Sequence, residues 1–66
     1  MRQVSDYTIG ERVALHPSLD LWMMGIRYGD VKALGVDMVV VHIDHLNRDV
    51  RIPPHLIKPV AAKWEE

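Results

Sequence analysis

Apolar and polar positions alternate in short runs that are broken by Gly, Pro, Asn and Asp, and this two-residue period predicts strands over most of the chain. Arg12-Val13-Ala14-Leu15-His16 puts Val13 and Leu15 on one face and Arg12 and His16 on the other, and Pro17 stops the run. A second strand is predicted over residues 28 to 34, with Val31 and Ala33 inward and Asp30 and Lys32 outward. Gly35-Val36-Asp37 reads as the hairpin turn, with glycine taking a positive φ. Met38-Val39-Val40-Val41-His42-Ile43, rich in β-branched residues, predicts a central strand. Val39, Val41 and Ile43 face the core there, and Met38, Val40 and His42 face out. Residues 44 to 49, including Asn47, form a second turn before a short strand, Val50-Arg51-Ile52, with Val50 and Ile52 inward. Pro53-Pro54-His55-Leu56 predicts a 3₁₀ turn, because neither proline can donate to a ladder. Ile57-Lys58-Pro59-Val60 then forms a final edge strand.

Residues 17 to 26 break the pattern. Leu19, Leu21, Trp22, Met23, Met24 and Ile26 follow no clean period, so a long folded loop is predicted, with one helical turn over 19 to 24 as the other arrangement these residues allow. The predicted organisation is a flexible arm over 1 to 8, one barrel over 9 to 60 and a tail over 61 to 66 that carries Trp64. The fold class is all-β: about five short antiparallel strands with a 3₁₀ turn near the C-terminus.

Composition narrows the chemistry. A chain of 66 residues makes one domain that buries only about 60% of its unfolded surface. It has no cysteine and four histidines, so disulfides are excluded and a structural zinc site lacks its usual thiolates. The opening Met-Arg-Gln-Val-Ser-Asp is too polar for a signal peptide, and no apolar run nears the roughly 18 residues of a membrane span. A soluble, cytoplasmic chain is therefore expected. Eight basic and nine acidic residues give a net charge of -1 and a pI near 6.4. The signs alternate along the chain, which disfavours nucleic acid as a partner.

The order strand, long loop, three-stranded meander, 3₁₀ turn, short strand, opened by Gly10-Glu11-Arg12-Val13 and closed by Pro53-Pro54-His55-Leu56-Ile57, resembles the SH3-like barrels of bacterial and phage proteins over roughly residues 8 to 60. Within that group, Tyr7-Thr8-Ile9-Gly10-Glu11-Arg12-Val13, Gly29-Asp30-Val31 and Val50-Arg51-Ile52-Pro53-Pro54 resemble the plasmid-borne type II dihydrofolate reductases. Those are homotetramers with one shared pore, lined by a Val-Gln-Ile-Tyr-Pro stretch. Arg51 stands at the glutamine position and Pro53 at the tyrosine position, while Leu15 and His16 replace a basic pair. The resemblance implies a pore-type reductase using NADPH, with Arg51, Ile52 and Tyr28 around the site.

The residues themselves favour a different reading. Trp22, Met23 and Met24 exceed what so small a core can take once the valines and leucines are inside, although Trp22 can also cap an open end of the barrel. Together with Leu21, Met38 and Val40 they form the predicted surface for a protein partner or for self-association, since Met adapts to irregular surfaces and Trp suits interface centres. The reading is a small non-enzymatic interaction module that needs no cofactor. Arg48, Arg51 and Lys58 form a candidate anionic-ligand face, which a weak nucleic-acid-binding module would use. Asp44 and Asp49 among them make cross-strand ion pairs the plainer account. In His42-Ile43-Asp44-His45 a carboxylate can orient an imidazole, yet three or four converging metal ligands are not in sight. No catalytic residue is assigned, because Ser5 and Ser18 lack a histidine and acid at recognisable spacing. Tyr7, Trp22, Tyr28 and Trp64 are not spaced as a base-stacking platform on one strand pair.

Overall fold

The structure, a computed structural model, describes residues 2–64. Five antiparallel strands, β1 (Arg12–Leu15), β2 (Tyr28–Leu34), β3 (Val39–Ile43), β4 (Arg48–Ile52) and β5 (Ile57–Pro59), form one sheet in the order β4-β3-β2-β1-β5. Strands β2, β3 and β4 are a meander. A 3₁₀ turn over Pro54–Leu56 then carries the chain back to the free side of β1, where Ala14 stands opposite Lys58. The all-β fold, five short strands with a 3₁₀ turn before the last, is the one the sequence pattern predicts.

The central strand behaves as its alternation requires. Val39, Val41 and Ile43 are buried while Val40 and His42 are only half-buried. Val13, Leu15, Val31, Ile52 and Ile57 pack into the same core, and Leu19, Leu21 and Leu56 seal its margins. Val50 stands opposite Val41 on the inward side, as predicted, though half-buried.

Strand β4 starts at Arg48, so Arg48 and Asp49, predicted to lie in the turn, belong to the ladder with β3, and four further local features differ from the sequence reading. The first is a bulge in β2. Val31 stands opposite Val41, but Ala33 stands opposite Val40, so Lys32 is an extra residue. A slip of one position exchanges the two faces, and Ala33 therefore lies with outward Val40 instead of on the predicted inward side. The second is the β2–β3 turn. Gly35 is not among the residues with positive φ. A Cβ on it would sit 2.9 Å from the Met38 carbonyl oxygen, so space, not φ, is what the glycine supplies.

Third, residues 17 to 26 contain a helical turn, α1 (Asp20–Met23), where a long irregular loop was the favoured expectation. Its end explains it. Ile26 N–H donates to the Leu21 carbonyl and Gly25 N–H to that of Trp22, with Gly25 at φ 86, which is the Schellman pattern with glycine in the left-handed position. Leu21 and Ile26 meet at the core beneath it. Fourth, residues 1 to 8 are not wholly a flexible arm. Val4–Asp6 forms a 3₁₀ turn, and Tyr7 is buried in the core with its hydroxyl against the carbonyls of Ile57 and Pro54. Of the predicted tail, Glu65 and Glu66 lie outside the described residues.

Candidate functional site

Cross-strand register arranges the outer face of the sheet in three rows. Lys58, Ala14 and Tyr28 stand side by side on β5, β1 and β2. Arg12, Asp30, His42 and Asp49 form the second row across β1 to β4. Ala33, Val40 and Arg51 form the third.

The middle row is a chain of charges. Arg12 meets Asp30 at 3.3 Å. His42 Nδ1 lies 2.7 Å from Asp49 Oδ1, and its Nε2 lies 3.3 Å from Asp44 Oδ1. Lys32 Nζ reaches Asp49 Oδ2 at 3.3 Å. The hydrogen bond with His42, joined by Lys32, holds the Asp49 carboxyl below its ordinary value. The sequence pointed to His42 with Asp44; the structure adds Asp49, seven positions away, through the β3–β4 register. Among the described residues no group of three or more His, Asp or Glu side chains is placed to hold a metal ion.

The first row opens into a depression of about 240 Å³ floored by Ala14 and Leu15 and walled by Trp22, Tyr28 and Trp64. Cations are laid on its rings. The Arg27 guanidinium sits 3.6 Å from the centre of Trp22, and Lys58 Nζ lies 5.3 Å from that of Trp64. His16 meets the edge of Trp64 at 4.9 Å. Lys58, mostly buried, also donates to the Val60 carbonyl at 3.2 Å. Neither Arg27 nor Lys58 has a carboxylate partner among the described residues. A second depression, of about 410 Å³, adjoins Arg27 and Tyr28 and is lined also by Arg12, Gly25, Ile43, Asp44 and His45. Arg27 and Tyr28 are walls of both.

Three of the four aromatic residues thus converge on one place, although their spacing in the chain did not bring them together. The signal missed was tertiary: α1 sets Trp22 over Arg27, and the chain beyond β5 returns Trp64 to β1. Arg27 itself was not singled out in the sequence, where it is one cation beside Tyr28.

The predicted partner surface is divided. Trp22 lines the 240 Å³ depression, with Met23 81% and Met24 59% exposed on the adjoining turn. Leu21 is turned toward the core. Val40 lies in the third row, on a strand separated from β1 by β2, and half-buried Met38 directly precedes that strand. The predicted basic face is also dispersed. Arg48 stands opposite inward-facing Ile43 while Arg51 stands opposite outward Val40, so the two point to opposite sides of β4, and Lys58 is on the far edge strand. Of the residues the reductase resemblance implies, Ile52 is buried, and Tyr28 and Arg51 fall in different rows.

Compared with protein-family models, curated proteins and solved structures, the chain matches none of them. No helix among the described residues is long and apolar enough to cross a membrane.

Proposed function

We propose that the chain is a non-enzymatic module that binds an extended, acidic protein segment across the two depressions sharing Arg27 and Tyr28. The observation that carries this is the Arg27 stack. Its guanidinium covers the face of Trp22 at 3.6 Å and has no carboxylate of its own among the described residues, so its in-plane N–H groups are available to a partner's carboxylate. Lys58, which has no carboxylate partner among the described residues, adds a second cation about the same hollow.

The walls suit apolar side chains flanking that carboxylate. Trp22, Tyr28, Trp64 and Val60 offer rings and a branched aliphatic, and Met23 and Met24 extend the contact at the rim. Two hollows that share a wall match the way an extended peptide presents successive side chains. The net charge of -1 favours a short acidic peptide over a polyphosphate chain.

A displayed library of random twelve-residue peptides tests this. Selected sequences should be enriched in Asp or Glu beside aliphatic or aromatic residues. Synthetic copies should quench tryptophan fluorescence, and Arg27→Glu should weaken them by about tenfold or more, as expected for loss of a charge-assisted pair. Selection of neutral or basic sequences, affinity untouched by Arg27→Glu, or retention of an oligothymidylate in place of peptides would overturn the reading.

A further inference from the structure

We infer that the outer edge of β4 pairs with β4 of a second copy, joining two sheets about a two-fold axis through Val50. This surface is separate from the α1 depression and does not depend on it.

Strand β4 ends the sheet. None of the described backbone hydrogen bonds outside the strand ladders involves its residues, so one row of its N–H and C=O groups has no backbone partner. It runs five residues with no proline, and its ladder to β3 has no register shift. The other edge, β5, has only three residues and includes Pro59, which lacks an N–H. The edge able to accept another strand is β4.

Its sequence decides what that strand is. Arg48-Asp49-Val50-Arg51-Ile52, laid antiparallel on itself with Val50 opposite Val50, sets each Asp49 opposite Arg51 of the second copy. Both residues lie on the outer face, beside outward His42 and Val40 respectively. A register displaced one way sets Asp49 against Asp49, and one displaced the other way sets Arg51 against Arg51. Only the Val50-centred register pairs opposite charges twice. Arg51 is exposed and has no carboxylate partner among the described residues. Asp49 takes His42 on one oxygen and Lys32 on the other, and a carboxylate with about four acceptor positions has room for a guanidinium as well.

Sedimentation equilibrium of the whole chain over a wide concentration range tests the pairing. The wild type should fit a monomer–dimer equilibrium. Arg51→Asp places like charges opposite each other twice and should raise the dimer dissociation constant about tenfold or more. The exchanged double variant, Asp49→Arg with Arg51→Asp, restores opposite charges and should recover the dimer, with circular dichroism showing each variant folded. Met24→Asp, at the α1 surface, should leave the dimer unchanged. A wild type that stays monomeric at millimolar concentration, or a dimer indifferent to Arg51→Asp, overturns the inference. So does a folded exchanged variant that remains monomeric. None of these results bears on peptide binding.

Discussion

The Tyr7 hydroxyl lies 2.5 Å from the carbonyl oxygen of Ile57 and 2.9 Å from that of Pro54, tying the segment before β1 to the 3₁₀ turn and last strand fifty positions later. Donation to Ile57 satisfies a buried phenol and closes the core at that end. Tyr7→Phe keeps the ring and removes the bond, and should cost about 1–3 kcal/mol in urea unfolding. Tyr7→Ala removes the ring as well, a loss of about 3–5 kcal/mol. A domain this small holds only about 3–5 kcal/mol in all, so circular dichroism should find Tyr7→Ala largely unfolded.

Asp49 carries a pH dependence. Its folded-state carboxyl is held below the usual carboxylate range by the His42 hydrogen bond, with Lys32 assisting. A depressed folded value means that the stabilisation is present above the ordinary aspartate value and is lost as pH falls through the folded one. Asp49→Asn should therefore melt below the wild type at pH 7, and the gap should close as the pH is lowered past about 4. A gap independent of pH would mean that the carboxylate charge contributes nothing.

Gly29 is buried where β2 crosses the core. A Cβ built there would run into the Val41 Cγ1 and stand 3.1 Å from both the His42 carbonyl oxygen and the Ile43 Cδ1. Gly29→Ala should thus destabilise by about 1–3 kcal/mol through overpacking, read as a lower urea midpoint.

Asn47 closes the β3–β4 turn at φ 50, the left-handed region. Asn47→Gly should leave the melting temperature close to the wild type, and Asn47→Ala should cost about 1 kcal/mol. Equal melting temperatures for the two variants would show that the turn does not require this conformation.

The strands were legible because their burial is periodic. Residues 39 to 43 announce one inward face by valine and isoleucine alone, and the two prolines after Ile52 mark the 3₁₀ turn. The bulge at Lys32 left no mark, because a polar residue between apolar ones reads the same whether it continues the alternation or interrupts it. The turn at α1 was readable from Gly25 placed just after the apolar run, but its short length gave no helical period to notice. The site was less legible than the fold. Trp22 and the methionines stood out by their surplus, whereas Arg27, Lys58 and Trp64 acquire a common role only through the pairing of β1 with β5. Likewise Asp49 joins His42 by register, not by proximity in the chain.

That same pairing orders how the molecule can be made. β1 has β2 on one side and β5 on the other, with Val13 opposite both Gly29 and Pro59. A growing polypeptide that has emerged only through β4 presents β1 with one neighbour missing and Leu15 and Tyr7 without the Ile57 backbone that covers them. Closure of the sheet waits until Ile57–Pro59 is available to β1, so it is one late event, slowed by the long loop it must shut.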